Sequence, residues 1–375
     1  MVERLNEERI LLELIGIFPV TAILGARQVG KSTLAKQVEH DWYFDLENPT
    51  DLLQFENPKF LLEPLQGLIV IDEIQRKPDL FPLLRFLVDN NPGQRYLLLG
   101  SASPDLIKGS SETLAGRIGY HLLGGFTIEE AGNDFQGLWL RGALPKAYLL
   151  EESESFLWRD NYITTFLERD IPQLGINIAS NTLRRFWTML AHYHGQLLNY
   201  SELARSFGIS DMTIRRYLEI LEGTFMIRLI TPWYANIGKR LVKSPKLYFR
   251  DTGILHNLLT VRNRNELISH PKMGASWEGF CIENAIRALN RSANKDIWFY
   301  STHTGSEVDL FWQRGGRNYA IEVKFSDTPR VTRSMNTAIK DLGIEKAWIV
   351  YPGDKVIRLS EIVDAIPVTE LDLVV

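Results

Sequence analysis

One stretch constrains this chain more than any other: Gly25-Ala26-Arg27-Gln28-Val29-Gly30-Lys31-Ser32-Thr33. It fits G-x-x-x-x-G-K-[ST]. An apolar run, Val20-Thr21-Ala22-Ile23-Leu24, comes before it, and a segment of helical spacing, Leu34 to Val38, follows. Strand, glycine-rich turn and helix in that order form a phosphate-binding loop. Gly25 and Gly30 let the backbone turn successive N–H groups inward as an anion nest, and the helix N-terminus adds partial positive charge. Such a loop assigns Lys31 to the β- and γ-phosphates and the Ser32 hydroxyl to Mg²⁺. All of Gly25 to Thr33 is expected to cradle the nucleotide.

A second run completes this site. Leu68-Ile69-Val70-Ile71-Asp72-Glu73 is unbroken apolar sequence ending in two carboxylates, the pattern of a strand buried on both faces of a parallel sheet. Asp72 at its end is expected to hold Mg²⁺, directly or through water, as in a Walker B motif. Glu73 is then placed to act as general base on water. A further buried strand, Arg95 to Gly100, ends in Ser101-Ala102-Ser103. In phosphate-loop ATPases with an inserted strand, a polar residue here senses the γ-phosphate; Ser101 is the first candidate and Ser103 the second. Arg117, in Leu114-Ala115-Gly116-Arg117, can serve as an arginine finger in its own or a neighbouring subunit, or simply sit in a surface salt bridge.

Composition sets the bounds. The 375 residues allow two or three domains. A net charge of -4 gives no global basic field, so nucleic acid would need a local patch. The single cysteine, Cys281, excludes an internal disulfide and a cysteine metal site. The charged start is unlike a signal peptide, and no apolar run reaches the ~18 residues of a membrane span. A reducing, cytoplasmic setting is expected.

Residues 126–190 read as mostly helical, interrupted at Arg141 to Pro145, and are expected to form a lid. Taken together, Gly25–Ser32, Asp72-Glu73-Ile74-Gln75-Arg76, Leu114–Arg117 and Phe166–Ile171 resemble one family: prokaryotic AAA+-like ATPases whose C-terminal half is a domain of unknown function. The resemblance covers essentially the whole chain. It implies an α/β protein with a P-loop ATPase core of parallel sheet (1–125), a helical lid (126–190), a winged-helix segment (191–262) and a restriction-endonuclease-like C-terminal domain (263–375). No guanine-specific Asn-Lys-x-Asp motif appears, so the resemblance implies ATP.

The middle segment points the same way by its own pattern. Leu198 to Phe207 reads as a helix with Ser201 as N-cap. Gly208-Ile209-Ser210 is a turn, and Asp211 to Leu221 is a second helix. Ala204, Gly208, Ile214 and Leu218 fall where a helix-turn-helix packs its core. Phe225 to Ile230 reads as a wing strand, and Thr213, Arg215 and Arg216 as the exposed face of a recognition helix. Such a helix can bind DNA or pack against protein. Arg262 to Asn265 reads as a linker.

The last constellation lies beyond it. Glu278 sits on an amphipathic helix, Asp309 on the strand Glu307 to Trp312, and Glu322-Val323-Lys324 on the next strand across a hairpin turn. Period two puts Glu322 and Lys324 on one face. Helix Glu, strand Asp and Glu-x-Lys in this order resemble the PD-(D/E)xK nuclease site. The resemblance implies that Asp309, Glu322 and Glu278 hold Mg²⁺ and that Lys324 positions or activates the attacking water. The expected cofactors are therefore ATP and Mg²⁺. Three readings follow: an ATPase coupled to a nucleic-acid-directed, Mg²⁺-dependent nuclease; a nucleotide-switched DNA- or protein-binding module with an inactive nuclease-like domain; and a partner-remodelling homo-oligomeric ring. No membrane partner is expected.

Overall fold

The computed structural model describes residues 2–102, 114–173, 178–233, 242–289, 297–303 and 305–374. Helix α1 (Leu5–Ile17) leads into five parallel strands: β1 (Val20–Leu24), β2 (Trp42–Asp45), β3 (Gly67–Asp72), β4 (Gln94–Gly100) and β5 (Ile118–Leu122). Their spatial order is β2-β3-β4-β1-β5. Strand β4 therefore stands between the strand feeding the glycine-rich loop and the strand ending in Asp72, as the inserted-strand expectation required. Side chains alternate between two packed faces. Val20, Ala22 and Leu24 meet Ile69, Ile71 and Leu98 on one side, while Ile23 meets Val70, Leu97 and Leu99 on the other. With both faces covered, the strands carry no polar alternation.

Short helices make the crossovers. Helix α2 (Lys31–Ala35) ends before Val38, the expected limit. Helices α3 (Pro49–Gln54) and α4 (Pro58–Leu62) each start on an asparagine cap followed by proline. Helix α5 (Leu80–Asn90) buries Leu80, Leu84 and Leu87 against the sheet.

The helical segment expected to form a lid comprises α6 (Phe135–Arg141), α7 (Pro145–Leu149), α8 (Glu152–Thr165), a π-helical turn over Phe166–Asp170, and α9 (Ser180–His192). Next come β6 (Gln196–Leu197), α10 (Tyr200–Phe207), α11 (Asp211–Gly223), β7 (Ile227–Ile230) and β8 (Lys246–Phe249), the strands pairing antiparallel in the order β6-β8-β7. The cap of α10 is Asn199, whose side chain accepts from the Glu202 N–H; Ser201 lies inside the helix and donates to Asp211. Ala204, Ile214 and Leu218 are buried as expected, but Gly208 is an exposed left-handed C-cap, not core.

Helix α12 (Thr252–Leu258) packs on α6 and α8. The expected linker is instead the start of a helix: Asn263 caps α13 (Arg264–Ser269). Helix α14 (Met273–Ala288) and α15 (Arg333–Leu342) sandwich a sheet of β9 (Ile297–Ser301), β10 (Glu307–Arg314), β11 (Arg317–Val323), β12 (Ile344–Tyr351), β13 (Ile357–Arg358) and β14 (Val363–Pro367). Its order is β13-β14-β12-β11-β10-β9, with β9, β10 and β11 antiparallel and β12 parallel to β11. Strand β11 stops at Val323, so Lys324 lies just past it rather than within it. One apolar cluster runs from Leu11 to Val374 and joins lid, middle segment and C-terminal sheet. Among the described residues no helix is long and apolar enough to cross a membrane.

Candidate functional site

The glycine-rich loop leaves β1 at the C-terminal edge of the parallel sheet. Gly25 approaches β5 so closely that a Cβ there would lie 2.3 Å from the Leu123 carbonyl oxygen, and Gly30 has φ +100°. Both positions therefore require glycine. The buried Lys31 side chain folds along the loop and donates to the carbonyls of Gly25 (2.9 Å) and Ala26 (3.0 Å). Burial pushes its ammonium down to about 8, against the pull of Glu73 and Asp72. Arg27 carries the loop to the lid. Its guanidinium meets Asp170 of the π-helical turn and Glu47 (3.1 Å), and its carbonyl accepts from the Tyr162 hydroxyl (3.2 Å). Gln28 is exposed at φ +60° and Thr33 is exposed, while Val29 is buried and its carbonyl accepts from Arg4.

Strand β3 delivers Asp72 to the same edge, buried. One carboxylate oxygen accepts from the Glu73 N–H (2.9 Å) and the other from the Tyr43 hydroxyl (2.7 Å). The Ser32 hydroxyl is near enough to that phenol to act on its pKa, so Tyr43 stands beside both the loop and β3. Glu73 has left-handed backbone angles, φ +56° and ψ +43°, an uncommon conformation for a glutamate. Burial raises its pKa, with Lys31 acting the other way. Gln75 then bridges two strands: its amide donates to Glu73 and to Ser101 Oγ (2.9 Å) at the end of β4. Lys31, Ser32, Asp72, Glu73 and Ser101 thus share one crevice. Arg27, Gln75, Arg76, Ser101, Phe166 and Asp170 line its lid side. A Mg²⁺-nucleotide draws most of its metal coordination from phosphates and water, so one hydroxyl and one carboxylate fit it.

Other expected residues lie elsewhere. Ser103 falls outside the described residues. Arg117 sits at the opposite edge of the sheet, where its carbonyl accepts from the first residue of β1 (3.1 Å). Five strand residues, about 16 Å, separate it from the loop, and its guanidinium pairs with Asp89 at 2.6 and 3.0 Å. Arg117 therefore cannot act on a nucleotide in its own chain. On α11, Arg215 and Arg216 are exposed but Thr213 is half-buried and bonded to Ser210. Arg215 lies flat against Tyr200, 3.9 Å from the ring centre.

The C-terminal constellation does assemble, with additions. Asp309 Oδ2 accepts from the Val323 N–H (2.9 Å), and Lys324 Nζ donates to Glu322 Oε1 (2.6 Å). The other Glu322 oxygen is buried without a partner. Between the carboxylates lies Lys246 Nζ, from β8. It is 3.2 Å from Glu278, 2.5 Å from Glu307 and 3.3 Å from Asp309. The Tyr248 hydroxyl donates to Glu278 Oε1 (2.5 Å). Burial, then the adjacent Asp309, pushes Glu278 up to about 7 and Glu322 up to about 8. Burial opposes the charge of Lys246, but the acidic groups around it, Tyr248, Asp309, Glu278 and Glu307, raise its pKa well above the ordinary lysine value. Among the described residues no group of three or more His, Cys, Asp or Glu side chains is arranged to hold a metal.

Tyr43, Gln75, Asp170, Lys246, Tyr248 and Glu307 were not singled out from sequence. Glu307 had a signal, standing two residues before Asp309 on the same strand face. Lys246 had none, because its partners lie 32 to 63 residues away.

Comparison with known proteins accords with this layout. A family profile described as "AAA domain" matches residues 18–132. Two described as domains of unknown function match residues 132–265 (DUF8612) and 273–371 (DUF4143). The uncharacterized proteins Rv2008c of Mycobacterium tuberculosis and Mb2031c of Mycobacterium bovis are each 46% identical to the chain over 377 residues, which is 99% of this chain and 85% of each relative. The chain belongs to their family. The chain thus carries a P-loop, AAA+-like ATPase domain ahead of two domains of unknown function. Among solved structures, the Walker-type ATPase PABY2304 of Pyrococcus abyssi matches at 16% identity and a TM-score of 0.49, over 69% of this chain and 96% of that one.

Proposed function

We propose that this protein is a Mg²⁺-dependent ATPase whose nucleotide state controls a nucleic-acid-directed, nuclease-like C-terminal half. The observation that carries the proposal is the crevice at the strand ends, where Gln75 ties Glu73 to Ser101 beside Lys31 and Asp72. A bound Mg²⁺-ATP supplies the phosphoanhydride and a cation to offset its charge. The loop amides and Lys31 hold the phosphates. Ser32 and Asp72 would hold the cation, with Tyr43 fixing one Asp72 oxygen. Glu73 accepts the proton of the attacking water, and burial, which raises its pKa, makes it a stronger base. Ser101 and Gln75 fix the direction of that water. The pairing of Arg27 with Asp170 offers a route from the loop to the lid. Arg117 can serve a nucleotide only in a neighbouring copy of the chain. Exposed Arg205, Arg215 and Arg216 on α10 and α11 offer phosphate contacts.

Of the catalytic and non-catalytic forms of this proposal for the C-terminal half, the position of Lys246 favours the non-catalytic one: a nucleotide-switched DNA- or protein-binding module with an inactive nuclease-like domain. The experiment is ATP turnover with Mg²⁺, with and without single- and double-stranded DNA. It compares wild type, Lys31→Ala and Glu73→Gln. Turnover is expected in wild type, none in Lys31→Ala, and a loss of about 10²-fold or more in Glu73→Gln with nucleotide binding retained. Stimulation by DNA supports the nucleic-acid-directed reading; turnover indifferent to DNA shifts it to a protein partner. A wild type without turnover overturns the ATPase reading.

A further inference from the structure

The acidic site of the C-terminal half does not fit a divalent cation as it stands. Two-metal and one-metal nuclease chemistry needs carboxylate oxygens converging on an open position. Here the point between Glu278, Glu307 and Asp309 is taken by an ammonium group from outside the C-terminal sheet. Lys246 Nζ has three N–H donors and no acceptor, and three carboxylates stand at 3.2, 2.5 and 3.3 Å. Three N–H donors thus face three carboxylates. The side chain is only 7% exposed, and the Phe299 ring lies 5.5 Å from the nitrogen.

The backbone holds it there. Strand β8 pairs with β7, and the chain beyond β7 runs beside β9: Phe299 N–H donates to Thr231 (3.2 Å) and Trp233 N–H to Phe299 (2.7 Å). Two residues along β8, the Tyr248 hydroxyl takes the Glu278 oxygen that Lys246 also contacts. The middle sheet and the C-terminal sheet are thus sewn together around the carboxylates.

We infer that Lys246 takes the place of a divalent cation in the PD-(D/E)xK-like site and makes it a metal-free brace between β8 and the C-terminal sheet. This rests on the nuclease-like reading of Glu278, Asp309 and Glu322 given above. A tethered ammonium acts at an effective concentration fixed by the fold and independent of dilution, so free Mg²⁺ or Mn²⁺ does not displace it while β8 stays paired. Removing the ammonium leaves Glu278, Glu307 and Asp309 without the cation that bridges them, with only Lys324 on Glu322 nearby, and a divalent cation becomes the natural replacement.

The test is Mn²⁺ titration of nucleotide-free full-length protein, read by the paramagnetic signal of free Mn²⁺ and by Tm. Wild type is expected to show no saturable site and no Mn²⁺-dependent shift in Tm. Lys246→Met is expected to melt lower than wild type in EDTA, to gain one saturable Mn²⁺ site, and to recover several degrees of Tm on binding it. Lys246→Met/Asp309→Asn is expected to lose both gains. Lys246→Gln, a smaller change, repeats the comparison if the methionine variant does not fold. A wild-type Mn²⁺ site abolished by Asp309→Asn overturns the inference, as does the absence of any gain in both Lys246 variants. ATP turnover is expected to persist in Lys246→Met. Mn²⁺ gained without strand cleavage counts against an active nuclease and leaves the brace standing.

Discussion

Gln75 shows what a single side chain does in the crevice. It reaches Glu73 with one amide bond and Ser101 with another, and so sets the position of the base relative to the end of β4. Its bond also lowers the Glu73 pKa against burial, which is the larger influence and raises it. Gln75→Ala removes that lowering contribution. The expected result is a fall in kcat with little change in nucleotide affinity, and an acidic limb of the kcat–pH profile displaced to higher pH. A purely structural role would lower kcat without moving the limb. Lys31 and Asp72 were legible from the motif alone. Gln75 was legible only as part of a family pattern, because nothing in its local sequence says which way the amide points.

At the scale of elements, the break between α6 and α7 has a physical purpose. Gly142 to Leu144 wrap the carboxylate of Asp251. One oxygen accepts from Ile254 and caps α12, while the other accepts from the N–H groups of Ala143 and Leu144. Gly142 has φ +86°, and a Cβ there would lie 2.2 Å from that carboxylate. Asp251→Ala is expected to cost about 3 kcal/mol, a lost cap plus two charge-assisted bonds, read by denaturant unfolding. Gly142→Ala is expected to cost at least about 1 kcal/mol from backbone strain, before any displacement of Asp251. Sequence showed the interruption at Arg141 to Pro145 but not its partner 108 residues away.

Across the whole molecule, two buried histidines stand at the joints. His256 Nδ1 lies 3.0 Å from the Leu140 carbonyl, which can only accept, so that nitrogen carries the proton. Nε2 then accepts from Ser276 Oγ at 2.7 Å. It joins lid to α14. His194 Nδ1 accepts from the Phe249 N–H (3.0 Å) and joins the end of α9 to β8. Burial pushes both down to about 3. Unfolded histidines take up protons near their ordinary value of about 6.5, so between about 6.5 and 3 the unfolded state binds more protons than the folded one. Stability from these groups is full above about pH 6.5 and falls as pH falls towards 3. Tm is expected to drop over that window, and less steeply in His256→Gln than in wild type. This joint lies inside the apolar cluster that crosses the boundaries drawn from sequence at 190 and 262.

The sequence by itself determined the glycine-rich loop and the strand ending in Asp72 and Glu73. Those features are local: buried parallel strands read as apolar runs, and the loop between strand and helix has few chemical alternatives. It also named Glu278, Asp309, Glu322 and Lys324. Only the tertiary structure decided what surrounds them. Arg117 faces away from its own loop because parallel strands put their two ends at opposite edges of the sheet. Lys246 enters the acidic cluster because β8 pairs beside β7, whose continuation runs along β9. Contacts of that kind depend on which strands meet, and residues 32 to 63 positions apart carry no periodic signal of it.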